Sequence, residues 1–229
     1  MSRLAKPLLA LLCLSLALAG CGGSSSNGIE SKPPEQILKA SKQAASQAVS
    51  VHIAGSIVNG AKPISLNMEL LAGKGGKGTI SQEGFTVQLI QVHGAVYIKG
   101  GAAFYRHVAG PAAAQLLQGK WLKAPAGSGE LASLTSLTDL SKLVETALNG
   151  HGTLTKGATR TIEGQKAIAL QDKGRGGVLY VATTGKPYPL EILKLGGESG
   201  RVVLNRWNQP VTLAPPSGAI DISKLQNGG

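Results

Sequence analysis

The chain has 229 residues, and 42% of them are hydrophobic, which is enough for one domain with a substantial core. Lysine and arginine (23) outnumber aspartate and glutamate (12), so the formal net charge is +11. The basic residues are scattered, and only 3% of the residues are aromatic, which argues against recognition of nucleic acid. A basic protein of this kind favours anionic headgroups or envelope polymers as partners.

Residues 1–20 are predicted to be a secretory signal. A short basic start precedes an apolar run from Leu8 to Leu18, and small residues follow it. This run is too short to cross a bilayer, which takes roughly 20 residues. Leu18-Ala19-Gly20-Cys21 resembles the bacterial lipoprotein box, so we expect Cys21 to become an acylated N-terminus that anchors the protein outside the cytoplasmic membrane. The alternative is an ordinary secreted protein with a chance cysteine at the cleavage site.

No thiol remains on this interpretation, because Cys13 leaves with the signal and Cys21 carries lipid. We therefore expect neither a disulfide nor a zinc site built on cysteine. Residues 21–32 are rich in glycine and serine and predict a flexible tether, and residues 33–229 predict a single domain.

A helix is predicted to begin at Pro33 and Pro34, because the first turn of a helix tolerates proline. A thin apolar stripe at helical spacing follows: Ile37, Leu38, Ser41, Ala44, Ala45 and Ala48. Since most of these side chains are small, we expect the helix to lie close against a flat surface.

A meander of antiparallel hairpins is predicted next, from segments in which apolar and polar residues alternate. The expected strands are 51–57, 64–70, 79–81, 85–92 and 95–99, with 104–107 continuing the meander. Gly73 to Gly78 is the expected turn before the third strand, and His93-Gly94 is the turn before the fifth.

The middle of the chain is predicted to be an apolar flap. A short helix is expected from Pro111 to Gln118, and an extended segment at Trp121 to Lys123. Thr138 or Asp139 can cap a second helix, whose apolar residues are Leu140, Leu143, Val144, Ala147 and Leu148. A preceding turn or helix is expected around Leu131, Leu134 and Leu137.

The last third again predicts strands, at 159–163, 165–171, 177–184, 190–195 and 201–207. Several have apolar residues on both faces, so the sheet must be covered on both sides or must enclose something. The predicted fold class is α+β: an antiparallel sheet of about ten or eleven strands, curled around an apolar space, with helices closing its mouth. A well-filled β-sandwich would leave a similar pattern.

The order and spacing of several segments resemble the LppX/LprG-like lipoproteins of actinobacteria. Besides Cys21, these segments are residues 50–55, 73–79, 95–100, 116–121, 179–182 and 185–189, and the resemblance spans roughly residues 33–213. That family resembles the LolA/LolB lipoprotein carriers, so the resemblance implies a strongly curved antiparallel sheet (a half-open barrel) with helices across its open face, which holds acyl chains. The resemblance implies a carrier of envelope lipids or glycolipids, lipid-anchored at the outer face of the cell membrane. We expect a monomer without a cofactor.

Apolar side chains at alternate strand positions and in the flap are the candidates to line a lipid cavity. They are Leu66, Met68, Leu70, Phe85, Val87, Leu89, Val96, Ile98, Leu116, Leu117 and Trp121. The alternative for each is ordinary packed core. A one-residue change of strand register would turn every one of them to the opposite face.

Signatures of catalysis are weak, and we expect no enzyme. Gly73, Gly75 and Gly78 match G-x-G-x-x-G but lead into a strand, whereas a nucleotide site needs a helix there. The four histidines have no metal-ligand spacing, and no G-x-S-x-G is present. The strand carboxylates Glu69, Glu83, Glu163 and Glu191 favour surface positions, although paired carboxylates could serve a hydrolase. A scaffolding lipoprotein with a filled core and a basic binding surface is the remaining alternative.

Overall fold

The computed structural model describes residues 25–59, 62–127, 137–195 and 199–223. The predicted signal, Cys21, Leu131 and Leu134 lie outside the described residues.

Twelve strands of the described residues form one sheet, in the order β12-β6-β5-β4-β3-β2-β1-β11-β10-β9-β8-β7. Their bounds are β1 Ser50–Asn59, β2 Lys62–Leu71, β3 Gly75–Gln82, β4 Phe85–Val92, β5 Ala95–Gly100, β6 Leu122–Pro125, β7 Leu154–Ile162, β8 Gln165–Asp172, β9 Gly177–Ala182, β10 Pro189–Lys194, β11 Gly200–Asn205 and β12 Ile220–Asp221. Neighbouring strands are antiparallel, except that β12 runs parallel to β6. The predicted α+β class, an antiparallel sheet with helices, is confirmed, with one short parallel strand added from the C-terminal tail.

Three α-helices accompany the sheet in the described residues: α1 Pro34–Ser46, α2 Ala102–Leu117 and α3 Leu140–Asn149. Helix α1 buries the predicted stripe, and α3 buries Leu140, Val144 and Leu148. Side chains of both helices join one core cluster with strand residues such as Ile53, Leu70 and Val181. We call the sheet face that carries this cluster the inner face. No helix in the described ranges has the length and apolar character to span a bilayer.

The glycine-rich segment after β2 differs from its prediction. The predicted turn extended from Gly73 to Gly78, but β3 already begins at Gly75. A methyl group at Gly78 would lie 2.6 Å from the Met68 sulfur and 2.1 Å from the Asn67 carbonyl oxygen. These strand glycines therefore leave room for large side chains of the neighbouring strand, which is a role that glycine has in sheets as well as in turns.

Residues 104–107 are helical, so their predicted extended structure is wrong. Helix α2 begins at Ala102 and is kinked at Gly110 (φ 86°), where Pro111 follows. Tyr105 holds the helix to the sheet, because its buried hydroxyl accepts the Gly100 N–H at 3.1 Å and donates to the Lys120 carbonyl at 3.4 Å. These two contacts, with partners five and fifteen residues away, are not visible in local periodicity.

The N-terminal segment is attached to the sheet from Ser26 onward, although residues 21–32 were expected to be a flexible tether. Ser26 forms a β-bridge with Thr184, and the Asn27 N–H donates to the Thr183 carbonyl at 2.8 Å. The Asn27 side-chain amide donates to two more carbonyls, those of Ala182 and Gly185. Ile29 is 3% exposed and belongs to the main core. The body of the protein therefore begins about seven residues earlier than Pro33.

Candidate functional site

A cavity of about 260 Å³ lies between the inner face of the sheet and α3. Its lining is apolar except for one exposed lysine, Lys194, at the end of β10. The lining residues are Ile53, Ile57, Leu66, Met68, Ile80, Leu137, Leu143, Val144, Ala147, Leu148, Pro189, Ile192, Lys194, Val202 and Leu204. We call this space the central cavity.

The strand register brings cavity-lining residues of β1, β2 and β11 side by side. Ile53 and Ile57 point to the inner face two positions on either side of Gly55, which contributes no side chain. The register partners of Gly55 are Leu66 on β2 and Val202 on β11, and both line the cavity. A methyl group at Gly55 would lie 2.1 Å from the Arg201 carbonyl oxygen, so glycine is required there.

Two further cavities adjoin the central one along the inner face. One, of about 280 Å³, shares Ile80 with it and lies under α2, between Phe85, Phe104 and His107. The other, of about 300 Å³, shares Ala147, Leu148, Ile192 and Lys194 with it. Both adjoining spaces also have polar groups in their walls: Gln82, Glu83 and His107 in the first, and His151, Asp172 and Arg175 in the second.

Helix α3 covers the central cavity and is held at both ends. The Asp139 carboxylate caps it by accepting the N–H groups of Ser141 and Lys142 at 3.0 and 3.2 Å. At the other end, the Lys42 ammonium of α1 donates to the Asn149 side-chain oxygen at 2.9 Å. Leu143 and Val144 of the same helix face the cavity. The cover is thus an amphipathic helix with polar attachments at its ends.

The eleven predicted lining residues occupy several environments. Leu66 and Met68 line the central cavity, while Phe85, Val87, Leu89 and Ile98 line the cavity under α2. Leu70 and Val96 are buried in the core, and neither lines these cavities. Leu117 packs beside Tyr105, Leu116 is 73% exposed, and Trp121 packs in a separate cluster with Tyr97.

Thirteen residues that line the central cavity were not predicted to line it, although five of them were predicted to belong to the apolar flap. They are Ile53, Ile57, Ile80, Leu137, Leu143, Val144, Ala147, Leu148, Pro189, Ile192, Lys194, Val202 and Leu204. The alternation in β1 was a usable signal for Ile53 and Ile57. What was missing was the pairing of β1 with β11, which joins segments about 150 residues apart.

The carboxylates considered for catalysis are each engaged. Glu191 is fully buried between Arg160 and Arg201, whose Nη2 lies 2.6 Å from a Glu191 oxygen. Glu83 pairs with Lys62 at 2.8 Å, and this hydrogen bond lowers the pKa of the Glu83 carboxyl below its ordinary value. Glu69 pairs with Lys77 and Arg206. None of them lines the central cavity.

Glu163 and His52 are likewise held by hydrogen bonds. Glu163 accepts a hydrogen bond from the Asn205 side chain. His52 lies between the side-chain oxygens of Asn205 and Asn67, at 2.7 and 2.8 Å. Within the part of the chain that the structure describes, no three His, Cys, Asp or Glu side chains are grouped so as to hold a metal ion.

Comparison with known proteins relates this chain to others through its fold. No family model matches the sequence, and no curated protein matches it. Among solved structures, LprF from Mycobacterium bovis is similar over 81% of this chain and 97% of its own, with a TM-score of 0.57 and 15% identity. Lipoprotein LppX from Mycobacterium tuberculosis is similar over 79% of this chain and 98% of its own, with a TM-score of 0.53 and 16% identity. The chain therefore has the fold of mycobacterial LprF and lipoprotein LppX, which is the fold that its sequence resemblance predicted.

Proposed function

We propose that this protein binds the acyl chains of an envelope lipid or glycolipid in the central cavity and carries them without catalysis. It does so as a lipoprotein anchored through Cys21 at the outer face of the cell membrane. The observation that carries this proposal is the chemistry of the cavity wall. Fourteen of its fifteen described residues are apolar, and the fifteenth is Lys194. Such a wall can desolvate hydrocarbon, and among the described residues it offers no interior polar group that could bind a small polar metabolite.

The size of the space suits flexible chains. A cavity of about 150 Å³ lined by Leu, Ile and Phe is known to stay dry and to bind benzene. The central cavity, at about 260 Å³, is larger than that. The adjoining spaces of about 280 and 300 Å³ bring the total into the range of roughly 300–1,000 Å³ that is typical of ligand sites. An acyl chain can extend from one space to the next past α3.

The energetics favour reversible exchange. Moving hydrocarbon out of water is worth about 0.8 kcal/mol per CH₂, but a bilayer already provides that gain. Transfer from a bilayer to an apolar cavity therefore changes the free energy little, and lipid can be loaded and released. Lys194 lies at the exposed end of β10, where an ammonium group can meet an anionic headgroup without being buried.

The attachment of Ser26 to the sheet sets the reach of the proposed anchor. Five residue steps separate Cys21 from Ser26, so even a fully extended chain spans only about 18 Å. If Cys21 carries the lipid, the body is held at the membrane surface, within reach of the lipids that it would exchange. Shared fold with a lipoprotein supports this location.

Lipid bound to the purified protein tests the proposal. The full chain is produced with its signal in a bacterium, purified and extracted, and the lipid per protein is measured by mass spectrometry. Val202→Phe places a larger ring in the central cavity, whereas Val58→Phe makes the same change on β1 at a position outside the cavity wall.

We expect Val202→Phe to lower the bound lipid and Val58→Phe to leave it unchanged. Equal lipid content in both variants, or none in the parent protein, would contradict the carrier function. A diacylglyceryl modification on the N-terminal peptide at Cys21 is the matching test of the anchor.

A further inference from the structure

Helix α2 presents an apolar surface that nothing in the described residues covers. Of its 16 residues, only Tyr105 and Ala114 are buried. Leu116 is 73% exposed and Val108 is 56% exposed, and the exposed Ala109, Pro111 and Ala112 lie between them. A group of exposed apolar residues marks an interaction site more often than isolated ones do.

The sequence segment that contains α2 has basic but no acidic residues, although Glu83, just before this segment, lies near His107 of the helix. No aspartate or glutamate occurs from residue 84 to residue 129, whereas Lys99, Arg106, Lys120 and Lys123 are all in this segment. Arg106 and Lys120 are exposed, one on the helix and the other just after it. Lys123 is different, because it pairs with Asp221 at 3.1 Å. The apolar surface is therefore flanked by basic groups without acidic neighbours in sequence.

We infer that α2 is a membrane-docking helix, with Val108 and Leu116 in the headgroup region and Arg106 and Lys120 against anionic lipid phosphates. Exposed apolar residues beside basic residues suit the surface of an anionic membrane, because the apolar side chains can enter the headgroup region while the basic ones meet the phosphates. An anionic bilayer complements both properties at once, because basic segments are attracted to its surface charge.

Two residues of α2 place the proposed docking surface beside one of the cavities. Phe104 and His107 of α2 line the cavity of about 280 Å³, together with Phe85, which stacks on His107 with ring centroids 5.1 Å apart. A bilayer against the exposed side of α2 would therefore lie next to this space. The inference concerns a surface and goes beyond the proposed function, since docking can be measured whether or not the cavities hold lipid.

A fluorescent probe on α2 tests the inference in the full chain reconstituted into vesicles. Leu116→Cys is labelled with an environment-sensitive fluorophore, and the unsubstituted protein controls for labelling elsewhere. Thr159→Cys is the matched control. Thr159 is exposed on β7, which is an edge strand of the sheet, and β5, the strand next to α2, lies near the other edge. The vesicles contain phosphatidylcholine with or without phosphatidylglycerol, and nitroxide-labelled lipids serve as quenchers.

With phosphatidylglycerol present, we expect the probe at position 116 to shift to shorter wavelength and to lose intensity to nitroxide lipids, while the probe at 159 does neither. Arg106→Gln combined with Lys120→Gln should reduce this quenching, as should high salt. The inference is overturned if the two probes behave alike in both kinds of vesicle. It is also overturned if the position 116 probe is quenched equally with and without anionic lipid, since the basic residues would then have no role.

Discussion

Replacing Leu66 with phenylalanine tests whether the space beside it is empty. Leu66 and Leu70 are the same residue type on the same strand and the same face, four positions apart. Leu66 lines the central cavity, whereas Leu70 is 0% exposed and packs in the filled core. Comparing the same substitution at the two positions therefore tests for empty space, because the residue type, the strand and the face are the same.

The expected magnitudes differ because only one site has room. At Leu70, a methyl group added at Gly76 would already lie 2.6 Å from the leucine side chain, so a larger ring must displace its neighbours. Such overpacking costs about 1–3 kcal/mol. At Leu66 the ring can enter the space of about 260 Å³, and we expect the free energy of unfolding to change by less than about 1 kcal/mol.

Thermal unfolding by circular dichroism measures the difference. For a protein of this size, 1 kcal/mol corresponds to a shift of about 2–4 °C in Tm, so Leu70→Phe should lower Tm by about 2–12 °C. Leu66→Phe should leave Tm nearly unchanged and lower the amount of copurified lipid. If Leu66→Phe destabilises the protein as much as Leu70→Phe, the space beside Leu66 is not available to a ligand and the reasoning fails.

Three further changes test the attachments around the site. Asp139→Ala should lower the free energy of unfolding by about 1 kcal/mol in urea titrations, because α3 loses its N-cap, whereas Asp139→Asn should retain most of it. The Gly152 N–H chiefly holds the pKa of Asp172 below its ordinary value of 3.8. The contribution of Asp172 to stability is therefore present above about pH 4 and is lost as the pH falls through the lowered pKa. Asp172→Asn should therefore unfold more easily than the parent protein at pH 7, and this difference should disappear in acid; a constant difference would contradict the assignment. Asn27→Ala removes three hydrogen bonds and should speed limited proteolysis at the N-terminal segment with little change in Tm, while an unchanged cleavage rate would show that the segment is not held by this side chain.

Local patterns predicted most of the elements. The stripe from Ile37 to Ala48 and the leucines from Leu140 to Leu148 repeat at helical spacing, and helices form at both places. Helix α1 buries the stripe up to Ala45, and α3 buries Leu140, Val144 and Leu148. The alternating segments before Val92 form strands at nearly the predicted bounds. These elements were predictable because periodicity reflects burial on one side, which is a property of neighbouring residues.

Residues whose position depends on distant partners were predicted less well. Leu116 and Leu66 are equally apolar in sequence, yet Leu116 is exposed and Leu66 lines the cavity. Segment 104–107 was predicted to continue the strand meander, yet it is helical, and the Tyr105 hydroxyl contacts Gly100 and Lys120. The docking of Ser26 on Thr184 likewise joins residues from opposite ends of the chain.

The sequence by itself determined that this chain is a β-rich protein with an amphipathic helix on each side of its first hairpins, a basic charge and a predicted lipid anchor. Only the tertiary structure decided which apolar residues surround an open space, because packing depends on which strands become neighbours. Gly55 shows the physical reason: its missing side chain matters only once β11 pairs with β1, because a methyl group there would lie 2.1 Å from the Arg201 carbonyl oxygen. This close pairing places Leu66 and Val202, the register partners of Gly55, beside the cavity.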